Sequence, residues 1–565
     1  VLGGGTVLVA ACLTCCRPPD QSSPDPTPEP AGPAWFEDAT DRFGIDFTHD
    51  PGPVPGNYLL PQINGSGCAV ADLDGDGRPD LLFLTAGGPA AASRNKLYRQ
   101  RPDHTFEDVS AGSGLDFAAH SLGVAVGDVD NDGRPDVVIT QFGGVRLFRN
   151  LGGMTFRDVT EESGVWTRGW ATSASFLDYD RDGKLDLVVV HGVDVDPSWK
   201  CTNPDGELGY CSPNVFPGAA TRLFHNESAG DRVQFKDVTV VSGLGTRPGP
   251  GLGIVCADFD GDGWTDIFVS NDARPNHLWV NKHDGTFAEE APTRGVAYNG
   301  MGKAWAGMGV ALGDVNGDGM ADILVSHLGI ETNTLWVQSS RGLYADRTAG
   351  SGLAAGGWRG TGWGITLSDF NHDGRLDSVV VNGRVQRGPS ANPDLGPYWS
   401  RYAERNQFFV GIGKGTFRDR SSDEPALCGS PNNARGLAVG DLDGDGALDL
   451  VLTTIGNRAR VFRNVCPDRG HWALVRCIDP ARGGRDAHAA KVVLITAGVR
   501  RVGYADPGGS FLSSSDPRAH FGLGPNGVVD VIEVSWSDGS REEFTGGPAD
   551  RVFVLRKGSG KQVGQ

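Results

Sequence analysis

Residues 72–80 read DLDGDGRPD. The order D-x-D-x-D-G opens a calcium-binding EF-hand loop, which goes on to a bidentate Glu at position twelve and then to a helix. Position twelve here is Phe83, inside the run LLFLT. A short apolar run of this kind reads as a β-strand. The stretch is therefore a candidate metal loop set between strands.

The pattern D-x-[DN]-x-D-G-x-x-D returns at 128, 178, 258, 314, 369 and 441, giving seven copies spaced 56, 50, 80, 56, 55 and 72 residues apart. The residues after the loops are LLFL, VVIT, LVVV, IFVS, ILVS, SVVV and LVLT, all strand-like. Upstream, an aromatic-x-acid segment starts at Phe36, Phe106, Phe156, Phe235, Phe287, Tyr344 and Phe417. Downstream come LYRQ, LFRN, LFHN, LWVN, LWVQ, the weaker FFVG, and VFRN. A unit of about fifty residues with four strands has the size of a propeller blade. The sequence predicts an all-β chain: a seven-bladed β-propeller over 35–465 with a calcium-binding hairpin loop in each blade, then a small β-domain over 466–558 and a tail over 559–565. A calcium β-helix would repeat every nine residues, and EF-hand loops need helices.

Calcium takes six to eight oxygens in a flexible shell. Positions one, three, five and nine supply side-chain oxygens. The expected ligands are Asp72, Asp74, Asp76 and Asp80; Asp128, Asp130, Asp132 and Asp136; Asp178, Asp180, Asp182 and Asp186; and Asp258, Asp260, Asp262 and Asp266. They continue with Asp314, Asn316, Asp318 and Asp322; Asp369, Asn371, Asp373 and Asp377; and Asp441, Asp443, Asp445 and Asp449. Position six is always Gly, which permits a sharp turn with positive φ. Position seven has no shared chemistry, as a backbone-carbonyl ligand allows. An oxygen-only set disfavours zinc and copper. The plainer reading is a set of acidic turns, but so many close carboxylates repel one another without a counter-ion. About seven Ca²⁺ are expected; adding +14 to the formal charge of −19 leaves −5.

That acidic balance argues against nucleic acid or an anionic membrane as partner. No interior apolar run reaches the length of a membrane span. Residues 1–16, VLGGGTVLVAACLTCC, read as a signal segment, and the small residues before Cys12 resemble a bacterial lipoprotein signal. The Pro-rich, acidic 17–34 reads as a linker. A lipid anchor at Cys12 would be the one membrane contact, and the expected location is extracellular or the cell envelope. In an exported chain Cys201 and Cys211 are the best disulfide candidates. Cys428 and Cys466 form a further candidate pair with Cys477 as competitor, whereas Cys68 and Cys256 read as buried thiols.

Two resemblances follow from these motifs. The loops within strands, as in VAVGDVDNDGRPDVVIT, resemble FG-GAP/VCBS repeats of integrin-α-type propellers, although the literal FG and GAP words are absent. The run AKVVLITAG…GGSFLSSSDPRAHFGLG…VDVIEVSWSDG resembles the ASPIC/UnbV domain. Together they resemble the cartilage acidic protein family and its bacterial relatives. The resemblance implies an extracellular binding protein rather than a defined reaction. His520 of HFGLG has no nucleophile beside it in the sequence and reads as packing.

If each acidic loop joins the first two strands of a blade, the loops before the first strand and after the second lie on the other face. These hold WTRGWA, GKAWAG, GWRGTGW and two long insertions. The candidate ligand residues are Arg168, Trp170, Trp305, Trp358, Arg359, Trp363 and Trp399, since Trp and Arg are common binding hot spots. The alternative for the aromatics is that they plug the channel or pack between blades. The expected function is non-catalytic binding of an extracellular protein or glycan. The alternative is a propeller enzyme, hydrolase or lyase, using Asp194, Asp196, Glu207 or Glu404, the candidate carboxylates in the insertions.

Overall fold

The computed structural model describes residues 32–54, 56, 58–203, 206–354 and 358–563. The expected signal, Cys12 and most of the linker lie outside the described residues. The described residues from 33 onward form one compact unit.

Residues 35–464 hold seven four-stranded antiparallel sheets among the described residues. The first consists of Cys68–Ala71, Asp80–Phe83, Lys96–Gln100 and Phe106–Asp108, hydrogen-bonded in that order. The second to sixth repeat this plan, beginning at Ser121–Gly127, Ala171–Leu177, Gly251–Ala257, Val310–Gly313 and Gly362–Ser368. The seventh takes Ala434–Gly440, Asp449–Thr454 and Arg460–Asn464, and its outer strand is Phe36–Asp38 from the other end of the chain. The aromatic segment that precedes each acidic loop in sequence is thus the outer strand of the preceding sheet.

First strands of successive sheets pack side by side, and Ala434–Gly440 returns to Cys68–Ala71. Apolar side chains fill the spaces between sheets. Leu82, Leu84 and Leu97 of the first sheet, for example, cluster with Val124, Val126, Val137 and Ile139 of the second. First and second strands are buried on both faces, so they read as continuous apolar runs. Outer strands bury only their leading aromatic, as Phe106 and Phe156 do.

The Asn or Gln of the downstream motif latches neighbouring sheets. Asn150 Nδ2 donates to Leu73 O at 2.8 Å, Asn226 Nδ2 to Val129 O at 2.8 Å, and Asn281 Nδ2 to Tyr179 O at 2.8 Å. Gln338 Nε2 donates to Phe259 O at 2.7 Å and Asn464 Nδ2 to Phe370 O at 2.9 Å. Each acceptor is position two of the acidic loop in the preceding sheet. FFVG, the weak copy, puts Gly411 there, and the backbone N–H of Gly415 reaches Val315 O at 2.9 Å instead.

The C-terminal β-domain has two sheets. His471–Asp479 pairs with Arg485–Asp486 and Ala519–Gly524 and, in parallel, with Arg551–Arg556. The other sheet runs Val499–Ala505, Ala490–Thr496, Val528–Ser535, Arg541–Pro548 and Lys561–Gln562. Ile532, Val534 and Trp536 point into its core, as their alternation predicts.

Between these strands, residues 508–516 form a finger that hydrogen-bonds to the first strands of the first, second, fifth and seventh sheets. Ser514 N donates to Cys68 O at 3.0 Å, Val124 N to Leu512 O at 3.2 Å, and Asp516 N to Val439 O at 3.0 Å. Val310 N donates to Ser510 O at 2.9 Å. Phe511 and Leu512 are buried among Leu122, Trp170, Leu252, Met308 and Trp363.

Cys201 and Cys211 form the expected disulfide across the small hairpin of Cys201–Thr202 and Leu208–Gly209. The other expected pairing is corrected: Cys428, Cys466 and Cys477 are free, buried thiols. Cys428 and Cys466 pack in the apolar cluster around Trp35 and Phe36, whereas Cys477 belongs to the C-terminal core. Burial pushes the Cys466 thiol up to about 12, so it stays protonated and inert. Cys68 and Cys256 are buried thiols, as read.

Candidate functional site

All seven acidic loops join the first and second strands of a sheet and share one hydrogen-bond frame. The position-six amide donates to the position-one carboxylate, from Gly77 to Asp72 at 3.0 Å through Gly446 to Asp441 at 3.1 Å. The position-seven amide donates to position five, as Arg78 does to Asp76 at 2.9 Å. Position nine takes two amides: Asp80 Oδ2 accepts from Leu73 N and Oδ1 from Gln100 N, both at 2.9 Å. Position six has φ between +81° and +89° in the seven loops, which Gly adopts without strain. Position four is also left-handed, filled by Gly75, Asn131, Arg181, Gly261, Gly317, His372 and Gly444, which the sequence reading missed.

The frame turns carboxylates toward one another. Asp72, Asp74 and Asp80 bring three oxygens within 4.8 Å of one another, as do Asp128, Asp130 and Asp136, then Asp178, Asp180 and Asp186, and Asp258, Asp260 and Asp262. Burial, reinforced by neighbouring carboxylates, pushes Asp80, Asp128, Asp322, Asp369 and Asp441 up to about 7. The same causes hold Asp136, Asp266, Asp377 and Asp449 well above the usual range. Asp178 Oδ1 and Asp443 Oδ1 are buried with no hydrogen-bond partner. Clustered, desolvated and partly unpartnered oxygens are the donor set a hard cation takes.

Protein cations also face these loops. From strand three, Arg99 Nε lies 2.6 Å from Asp74 and Arg149 Nε 2.5 Å from Asp130, and Arg463 pairs with Asp443. In the fourth sheet Arg294 Nη2 reaches Asp260 at 3.1 Å. Where position three is the neutral Asn316 or Asn371, strand three carries Val337 or Val410. In four of the five loops with Asp at position three, the extra carboxylate thus travels with an arginine; the third loop faces His225 instead.

A second set comes from the C-terminal domain, which lies over the acidic loops. Arg476 Nη1 is 3.8 Å from Asp72. Arg485 acts on Asp128 and Asp178 and donates to Asn131 Oδ1 at 2.7 Å. Lys491 acts on Asp258 and Asp314 and donates to Gly319 O at 3.1 Å. Arg501 acts on Asp369, and Arg518 on Asp441. Each position-one aspartate therefore feels a lysine or arginine from this domain. The HFGLG segment seats on the sixth and seventh loops. His520 Nε2 lies 3.1 Å from Gly446 O, and a Cβ on Gly522 would meet Asp369 Oδ2 at 1.9 Å. Burial lowers the His520 imidazole to about 3, consistent with a packing role. A cavity of about 790 Å³ remains between the fourth and fifth loops and this domain, lined by Trp264, Lys491, Trp536 and Arg541 among others.

The named ligand residues separate into two groups. Trp170, Trp363 and Trp399 are buried in the central cluster. Trp363 donates through Nε1 to Gly383 O at 2.7 Å, and the Arg435 guanidinium sits 4.2 Å over its ring. These three pack inside this apolar cluster and present no open surface. Arg168, Trp358 and Arg359 are exposed and Trp305 is half-buried. Exposed Trp166 stacks with Arg168 at 4.7 Å, and Trp199, Met301 and Ile330 are also exposed on connections of that face.

The leftover carboxylates are mostly engaged. Glu404 is buried, accepting from Thr361 N at 2.8 Å and Arg384 Nε at 3.2 Å, and Glu207 pairs with Arg387. Asp196 is held low by the Ser198 hydroxyl and amide, and Asp194 is exposed. A pair that sequence reasoning missed lies on the same face. Burial raises the Asp272 carboxyl to about 7, and the Glu331 charge adds to the effect. Glu331 accepts from Ala306 N at 3.1 Å. No periodic pattern marks either residue. No helix among the described residues is long and apolar enough to cross a membrane.

The FG-GAP-like repeat model matches residues 72–139, 128–189, 258–325 and 398–452. The ASPIC and UnbV model matches 480–562. Cartilage acidic protein 1 of Homo sapiens is 26% identical over 517 residues, 87% of this chain and 70% of that protein. Its Xenopus tropicalis counterpart is 30% identical over 351 residues, 58% of this chain, and the match spans about half (48%) of that protein. Among solved structures, an Agrocybe aegerita lectin that recognises non-reducing terminal N-acetylglucosamine is 17% identical with a TM-score of 0.40, over 68% of this chain and 88% of that one.

Proposed function

Since this chain belongs to the cartilage acidic protein family, with FG-GAP-like repeats and a C-terminal ASPIC and UnbV domain, we propose that it is an exported, calcium-stabilised binding protein. In this reading the seven sheets close into a seven-bladed propeller, with one Ca²⁺ in each acidic loop. The Asp or Asn side chains at positions one, three, five and nine hold the ion. The ion supplies charge neutralisation and cross-links the loop; no step of chemistry runs through it. Extracellular calcium modules bind at about 10⁻⁴ to 10⁻³ M, which fits an exported chain.

The observation that carries the binding reading is the inequality of the two faces. The acidic-loop face is covered by the C-terminal domain, while the opposite face exposes Trp166, Trp199 and Trp358 beside Arg168 and Arg359. Flat aromatics beside guanidinium groups suit a protein or glycan ligand. A glycan-array and proteome pull-down screen tests this, with Trp166→Ala and Trp199→Ala as controls. Both variants should keep the wild-type melting temperature and lose the captured ligand. Undiminished capture would overturn the assignment of this face.

A second reading, a hydrolase or lyase acting on an extracellular glycan, is favoured by one observation: the raised Asp272 carboxyl beside Glu331. An acid held protonated near neutral pH is what general-acid catalysis needs. Polysaccharide turnover abolished by Asp272→Asn would establish this reading over the non-catalytic one.

A further inference from the structure

The third acidic loop differs from the other six in what strand three turns toward it. The corresponding positions are Arg99, Arg149, Val280, Val337, Val410 and Arg463, and in the third sheet it is His225. Its Nδ1 lies 3.2 Å from Asp186 Oδ1 and 3.4 Å from Asp180 Oδ2. That nitrogen is buried and meets neither oxygen in hydrogen-bonding geometry, although the His225 side chain is 23% exposed. His225, Asp180 and Asp182 bring ligand atoms within 4.8 Å of one another, and so do Asp178, Asp180 and Asp186. Asp178, only 4% exposed, leaves Oδ1 in this loop unpartnered as well. A tetrahedral ion with bonds of about 2.0–2.1 Å needs ligand atoms about 3.3–3.4 Å apart. The His225 separations fit that edge.

We propose that the third loop is a mixed nitrogen–oxygen site for a divalent transition ion, for which zinc is the probe. His225 Nδ1 and the carboxylates of Asp180 and Asp186 are the ligands, with Asp178 Oδ1 as the fourth donor. The inference rests on the reading of the acidic loops as metal sites and adds that one of them has a different selectivity. Imidazole favours zinc and its neighbours, whereas an all-oxygen shell favours calcium. The rival account is that His225 is a charged counterpart of Arg99 and Arg149, an ion pair and nothing more.

The test uses the chain stripped of metal, refilled in millimolar Ca²⁺, and titrated with Zn²⁺ against a chromophoric chelator. Co²⁺ then replaces Zn²⁺ to read coordination from its visible absorption. Wild type should take up one zinc equivalent in the presence of calcium and give an intense tetrahedral cobalt spectrum. His225→Arg and His225→Val, which copy the residues of the other sheets, should fold with unchanged circular dichroism and bind that zinc about 100-fold more weakly. Absence of zinc uptake in excess calcium, or equal uptake by both variants, would overturn the proposal in favour of the ion pair. Calcium uptake, measured in the same samples, reads the other six loops separately; zinc binding without any calcium uptake would sink the general loop reading and leave this site standing.

Discussion

Gln100 Nε2 donates to the carbonyl oxygen of Leu442 at 2.7 Å, tying the first sheet to the last across 342 positions of sequence. It belongs to the set of latches that includes Asn150–Leu73 and Asn464–Phe370. The same residue's backbone amide is held by position nine of its own loop, Asp80. Each latch thus couples the shape of one acidic loop to the position of the next.

Breaking one latch should therefore cost more than an ordinary polar contact. In Asn464→Ala the buried Phe370 carbonyl loses its donor. The expected loss is about 1–3 kcal/mol, read by urea denaturation. A change below a few tenths would show that solvent replaces the latch.

Position nine should be more demanding than position three. Both oxygens of Asp80 accept backbone amides, and the amide group of an Asn can accept at only one of its two ends. Asp80→Asn should cost about 2–4 kcal/mol even in chelator, and Asp74→Asn less than about 1 kcal/mol, since Asn316 and Asn371 already stand at that position. Equal losses would contradict the frame.

Removal of calcium should lower stability. A site filled at ten times its Kd contributes about 1.4 kcal/mol, and seven independent sites would sum to about 10 kcal/mol as an upper bound. The melting temperature should fall by on the order of 10 °C in excess chelator and recover with Ca²⁺. An unchanged melting temperature would contradict calcium loading.

The finger of the C-terminal domain should behave as a keystone. Phe511 is fully buried in the central cluster. Phe511→Ala should cost about 3–5 kcal/mol. It should also speed proteolysis of 466–558 relative to the remainder, a differential that a purely global loss of stability would not produce.

Stability should fall as pH rises through neutrality, partly through Glu424. This fully buried residue accepts from Trp35 N at 2.8 Å and Phe36 N at 3.1 Å, where the N-terminal strand joins the seventh sheet. Burial raises its carboxyl to about 7 from 4.5. Between these values the native state holds a proton that the unfolded chain has lost, so stability decreases with increasing pH. At fixed saturating calcium this group contributes a loss of about 1 kcal/mol from pH 6 to pH 8. Glu424→Gln should remove that part of the slope; an unaltered slope would assign it elsewhere.

The sequence by itself determined the repeat, the strands around each loop, the acidic positions that the loops bring together and the Cys201–Cys211 bond. Those features are local: a nine-residue loop and its flanking apolar runs carry their own geometry. It also showed the Asn or Gln of the downstream motif, without what that residue holds. Only the tertiary structure decided that Phe36–Asp38 completes the seventh sheet, that Trp170, Trp363 and Trp399 are buried, and that residues 508–516 hydrogen-bond to the first strands of four sheets. It also placed Arg476, Arg485, Lys491, Arg501 and Arg518 over the acidic loops. These outcomes depend on contacts between segments hundreds of residues apart. No periodicity records them, because burial and charge pairing across such distances are set by how the sheets and the last domain pack together.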